Sequence, residues 1–223
     1  LIFPYFIFLS LLLGCGNDTV TTTLNHSEKQ VIDSLINQVI EARNSTPDMV
    51  ISMSDDVIKL AKEANFETIY YSTQSKQQLR YISNSLCPKF VDDYKFLEGL
   101  SPNEPDHDAA SDMHLITHLK KLKLDQGKKF VVLHQRGSHS PYSKRFSTKS
   151  DIFKTKELAT RKERNLNDYD NSVYEFDRFM GKLISFVEKQ EKPLVIIYVS
   201  DHGEGLGESG VYGHGKLNRI SAE

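Results

Sequence analysis

Asp201-His202-Gly203-Glu204 sets a carboxylate and an imidazole side by side, with further glycines at 205 and 207. Carboxylate oxygen and imidazole nitrogen are ligands that a catalytic zinc commonly takes. Glycines let the backbone come close to a bound group. Tyr212-Gly213-His214-Gly215 returns a second imidazole between glycines, and His139 supplies a third within Gln135-Arg136-Gly137-Ser138-His139-Ser140-Pro141. Near the start of the chain, Asn17-Asp18-Thr19-Val20-Thr21-Thr22-Thr23 is rich in hydroxyls that cap a helix or present a nucleophile. Each element alone is ordinary, since a lone histidine after a strand is usually a hydrogen-bonded loop residue. Glu204 and Glu208 read as supporting or surface carboxylates rather than ligands. His134 reads as a packed strand residue, and His26, His107, His114 and His118 as residues of exposed helix or loop faces.

The elements that must position these groups are legible in the apolar pattern. Pro193-Leu194-Val195-Ile196-Ile197-Tyr198-Val199-Ser200 reads as a strand buried on both faces. Its break into Asp201-His202 falls at the C-terminal end, where open α/β sheets keep their ligand sites. Lys129-Phe130-Val131-Val132-Leu133-His134 reads as a second buried strand, so His139 is expected at the same edge of a parallel sheet. Residues 66–71 alternate as a third strand. Helical spacing runs through 27–42, 57–64, 113–124 and 169–190, the last a long helix feeding the Pro193 strand. Residues 101–108 form a polar loop, and 143–164 a polar, basic surface stretch with some helix. Strands alternating with helices define an α/β layered fold.

Composition narrows the class. The 223 residues suit one domain or most of one. Twenty-eight Lys and Arg nearly balance thirty Asp and Glu, which argues against a nucleic-acid partner. Two cysteines, Cys15 and Cys87, provide no disulfide framework. Residues 1–14 are uncharged and read as an apolar leader or membrane-proximal remnant, with 15–223 as an incomplete catalytic domain. Leu12-Leu13-Gly14-Cys15 also matches the pattern before a lipidated cysteine in bacterial lipoproteins.

Ser200-Asp201-His202-Gly203-Glu204, Leu206-Gly207-Glu208 and His214-Gly215 together resemble the signature of the lipid phosphoethanolamine transferases, within the alkaline phosphatase and sulfatase superfamily. Leu133 to Pro141, Tyr169-Asp170-Asn171-Ser172 and Cys15-Gly16 followed by Thr19 extend the resemblance. It implies an alkaline phosphatase-like layered fold with a central, mostly parallel sheet flanked by helices. It implies Thr19 as nucleophile and zinc ligand, with Thr21, Thr22 and Thr23 as nearby structural hydroxyls. Asp201 and His202 are the implied zinc ligands, and His139 and His214 bind the substrate phosphate or a second zinc. The implied reaction moves phosphoethanolamine from phosphatidylethanolamine to lipid A or lipopolysaccharide core through a phospho-threonine. The implied place is the periplasmic face of the inner membrane.

The departures set the alternatives. The family carries a further glutamate ligand on a strand upstream of the Cys-Gly pair, and residues 1–14 contain no Asp, Glu or His. A site short of that carboxylate is expected to bind zinc more weakly. The competing readings are another hydrolase or phosphotransferase of the superfamily, and an inactive truncated remnant serving at most as a binding module. A sulfatase would need its own formylglycine motif, which Cys15-Gly16-Asn17-Asp18 does not offer.

Overall fold

The computed structural model describes residues 9–12, 33–34, 37, 58–74, 91–97, 111–154, 160–191, 194–198, 203–207, 210 and 212–213. Thr19, Cys15, Cys87, Asp201, His202, Glu208 and His214 lie outside the described residues. Five strands form one sheet: β1 (Leu9–Leu12), β2 (Glu67–Ser72), β3 (Asp93–Phe96), β4 (Lys129–His134) and β5 (Leu194–Ile197), in the order β3-β2-β4-β1-β5. β2 runs parallel to β3 and β4. β1 is antiparallel to both β4 and β5, so four strands point one way and β1 the other. This is the alkaline phosphatase-like α/β fold, with a mostly parallel sheet and helices packed on it.

β4 falls on the expected residues, and all six are buried, as a strand between two neighbours requires. β5 differs from expectation. It is half-buried rather than enclosed, and among the described residues it lies at the sheet edge with β1 as its strand neighbour. Leu9–Leu12, within the stretch read as a leader, supplies that neighbour.

Helix α1 (Met113–Leu119) buries Leu115, Ile116 and Leu119 against the sheet. It stops earlier than residue 124, where Lys120, Lys121 and Lys123 meet a turn through Gly127 at φ +67°. Leu124 still tucks into the core at the end of that turn. Helix α2 (Arg161–Val187) begins eight residues before the apolar stripe does, because Thr160 and Glu163 close a reciprocal capping box. Phe179 and Leu183 of α2 join Ile69, Tyr71, Val131 and Leu133 of the sheet in one core. Residues 58–63 are helical and bury Ile58 and Ala61. Among the described residues, no helix is long and apolar enough to cross a membrane.

Candidate active site

β2, β4 and β5 deliver their following loops to one edge of the sheet, and the interactions there are built from short-range chemistry. At the end of β4, His134 is 2 % exposed, with Tyr70 Oη 2.6 Å and Ser72 Oγ 3.0 Å from its Nδ1. His134 therefore packs between β2 and β4, as its place in an apolar strand implied.

The chain after β4 is shaped by Asp112. Its carboxylate accepts from Arg136 N–H at 3.0 Å, Gly137 N–H at 2.9 Å and the Thr73 hydroxyl at 2.5 Å. Although Asp112 occupies the N-cap position of α1, its side chain caps nothing there and reaches across to the loop instead. Gly137 takes φ +56°, a conformation that favours glycine, where the chain turns toward His139. Beside this anchor, Gln135 is fully buried and lines a small cavity of about 20 Å³ with Asp112, Arg145 and Glu175, enough for one water.

His139 is half-buried, and its Nδ1 lies 2.6 Å from the Ser140 carbonyl oxygen. A carbonyl only accepts, so Nδ1 carries the proton in that bond. The neutral ring then keeps its lone pair on Nε2, the arrangement metal-binding histidines use. Arg145 closes the turn by donating Nε–H to the His139 carbonyl at 2.8 Å. The Ser140-Pro141 bond within the turn is cis.

The next residue in the turn, Tyr142, joins the two histidine segments. Its ring is 4 % exposed and meets Tyr169 of α2 edge-on at 5.2 Å. Its hydroxyl donates to Glu204 Oε1 at 2.5 Å. Burial and the adjacent Glu204 carboxylate push the phenol above its ordinary value, so Tyr142 remains a donor at neutral pH. Glu204 lies two residues beyond His202, and its Oε1 also stands beside Gly213, where an added Cβ would meet it at 4.0 Å.

Gly213 belongs to the hairpin of β6 (Gly205–Leu206) and β7 (Tyr212–Gly213), paired Gly205 to Gly213 and Leu206 to Tyr212. Gly207 sits at φ +105° with the Tyr212 ring over it, so close that any Cβ would come within 2.6 Å. The hairpin thereby returns the chain to Glu204 one residue before His214.

Of the residues expected from sequence, the structure describes His139 and brings its loop against Glu204. Thr19, Asp201, His202 and His214 fall outside the described residues, so their side chains have no place here. Among the described residues, no group of three or more His, Cys, Asp or Glu could hold a metal. β1 runs the other way, so its last residue, Leu12, pairs with Leu194 at the edge opposite the one where His139 and Glu204 lie. Tyr142, Asp112 and Arg145 were not singled out in the sequence. A tyrosine directly after the His139-Ser140-Pro141 turn and an aspartate directly before an apolar helix were the available signals.

Tyr142→Phe is expected to cost about 1.5–3 kcal/mol of stability, the range for a hydrogen bond to a charged group. It removes the donor and keeps the ring packing on Tyr169. Chemical denaturation of the two proteins measures it, and an unchanged midpoint would show that Tyr142 and Glu204 do not hold each other.

The mostly parallel sheet with helices packed on it is that of an alkaline phosphatase-like domain. The Sulfatase family model matches residues 51–221, and the chain belongs to that family. The match leaves Thr19 outside it. The chain is 38 % identical over 99 residues to the phosphatidylethanolamine transferase Mcr-2 of Escherichia coli, covering 41 % of this chain and 18 % of that protein. Against the phosphoethanolamine transferase EptA of Helicobacter pylori it is 38 % identical over 91 residues, 38 % of this chain and 18 % of the relative. A longer match, 26 % over 159 residues, joins 69 % of the chain to 27 % of the Kdo(2)-lipid A phosphoethanolamine 7''-transferase of Escherichia coli (strain K12). The chain thus spans under a third of the length of these curated relatives.

Proposed function

We propose that this chain carries the metal-binding and histidine-bearing part of a phosphoethanolamine transferase acting on lipid A or lipopolysaccharide core. The observation that carries the reading is the Tyr142–Glu204 hydrogen bond, which brings the His139 turn against the segment bearing Asp201 and His202. The names of the relatives support phosphoethanolamine as the group moved.

Asp201 and His202 are the residues that would hold zinc, and their oxygen and nitrogen donors suit it. When bound, zinc would favour the alkoxide of a hydroxyl nucleophile and offset charge on the phosphoryl oxygens. Thr19 is the nucleophile in this reading. Its oxygen attacks the phosphorus of phosphatidylethanolamine, and its proton ends on the departing diacylglycerol. The acceptor oxygen then takes phosphoethanolamine, and Thr19 regains a proton. His139, with Nδ1–H engaged by the Ser140 carbonyl, would meet a second zinc through the Nε2 lone pair, or a phosphate oxygen through Nε2–H in the doubly protonated ring. His214 shares that role. Donor and acceptor are membrane lipids in this reading, and the family resemblance supports the periplasmic face of the inner membrane as its place.

The test incubates the zinc-supplemented chain with phosphatidylethanolamine and maps adducts by mass spectrometry. Phosphoethanolamine on the peptide containing Thr19, lost in Thr19→Ala, is expected. An adduct on another hydroxyl would reassign the nucleophile. Zinc uptake with no adduct on any residue would favour another superfamily chemistry, and neither zinc uptake nor adduct would favour a non-catalytic module.

A further inference from the structure

The basic stretch after the His139 turn has no part in the chemistry above. Between residues 144 and 166 the described residues include the exposed Lys144, Lys149, Lys154, Arg161, Lys162 and Arg164 against two acids, Glu163 and Asp151, the latter paired with Lys154, in a chain of net charge −2. Within this basic surface Ile152 and Phe153 are 50 % and 44 % exposed.

The loop bearing them is firmly built. Asn171 of α2, 1 % exposed, accepts the N–H groups of Ile152 and Phe153 at 3.0 and 2.9 Å through Oδ1. Its Nδ2 donates to the Phe153 carbonyl at 3.2 Å and to Asp151 Oδ1 at 3.3 Å. Just before it, Ser150 is fully buried and donates to Glu175, which Arg178 also holds at 2.9 Å. A buried asparagine spends its hydrogen-bonding capacity on fixing this backbone, and the fixed backbone turns two large apolar side chains to solvent. Folding alone gains nothing from that display, since burying them would be favourable.

We propose that this face docks on an anionic phospholipid bilayer, with Ile152 and Phe153 entering the interfacial region and the surrounding lysines and arginines neutralising headgroups. Apolar tips within a basic surface combine the two terms that bind proteins to such membranes. A site for nucleic-acid phosphates would need the charge and not the displayed isoleucine. The same segment runs from Tyr142, so docking brings the His139 turn to the lipid surface. The proposal deepens the lipid-transfer reading and rests on it for its purpose, while the binding itself requires no catalysis.

The experiment is co-sedimentation of the full chain with phosphatidylethanolamine–phosphatidylglycerol vesicles, with pure phosphatidylcholine vesicles as reference and zinc uptake measured separately. Wild type is expected to prefer the anionic vesicles, and to lose that preference in high salt. The double variant Ile152→Ser/Phe153→Ser should bind at least about tenfold more weakly. Lys149→Glu/Lys162→Glu should also lose about tenfold or more and show a flatter salt dependence. All four side chains are exposed, so unfolding midpoints should match wild type. Equal binding to both vesicle types, or an unchanged Ile152→Ser/Phe153→Ser variant, would overturn the proposal. Full competition by single-stranded DNA with no contribution from the apolar pair would replace it with a polyanion site. Vesicle binding without zinc uptake would leave the docking surface standing and remove the enzymatic reading.

Discussion

Asp201→Ala is expected to abolish tight zinc uptake and to reduce phosphoethanolamine transfer by at least about a thousandfold, because metal-assisted charge stabilisation contributes several kcal/mol to such transition states. His202→Ala should behave alike. The expectation rests on the donor types and on their place two and three residues before Glu204, which Tyr142 holds. Calorimetric titration with zinc is the direct measurement. A second readout is thermal: zinc should raise the midpoint of wild type and leave that of Asp201→Ala unmoved, since a ligand that binds only the folded state stabilises it by mass action. Undiminished zinc affinity in both variants would move the metal site elsewhere and sink this assignment.

Asp112→Ala should cost about 1–3 kcal/mol, the cost of leaving a donor of the loop without its acceptor. The substitution takes the acceptor from Gly137 N–H, while Arg136 N–H keeps the Thr73 hydroxyl oxygen at 3.1 Å and the Thr73 hydroxyl keeps the His134 carbonyl at 3.4 Å. The loop that ends in His139 begins at those two N–H groups, so weaker activity should accompany the lost stability. Burial pushes the Asp112 carboxyl above its ordinary value, and the hydrogen bonds from Thr73, Arg136 and Gly137 oppose the shift without cancelling it. A folded state that holds its proton more tightly than the unfolded chain is favoured at low pH. The Asp112 contribution is therefore fully present below the ordinary aspartate range and is lost as pH rises through the raised value. Asp112→Asn, which cannot ionise, should flatten that part of the stability profile. Denaturant midpoints measured across pH test both statements, and parallel profiles for wild type and Asp112→Asn would contradict them.

What could be read from the sequence was mostly what a local pattern encodes. Six consecutive residues of β4 announce a buried strand, and the stripe from Val173 to Val187 announces α2. The eight residues that open α2, seven polar and Leu166, carry no stripe, and their signal was the Thr160–Glu163 box, a pattern of only four positions. β1 escaped because an uninterrupted apolar run has no period to distinguish a sheet strand from a leader. The site divides the same way. Motif residues are visible as types at spacings, whereas the Tyr142–Glu204 bond joins positions 62 apart and Asp112 reaches 24 and 25 residues to its loop. Such pairs exist only once the chain is folded, and no spacing along it announces them.

The reversed strand in the sheet carries a consequence for how the site comes into being. β4 and β5 do not touch as neighbours; β1 stands between them. β5 therefore enters the sheet by pairing residues 9–12 with 194–197, nearly the full length of the chain apart. During synthesis β1 must wait for β5, and loop closure over that distance comes late and at an entropic disadvantage. The segment bearing Asp201 and His202 follows β5 directly, so the two halves of the candidate site meet as a closing event of folding.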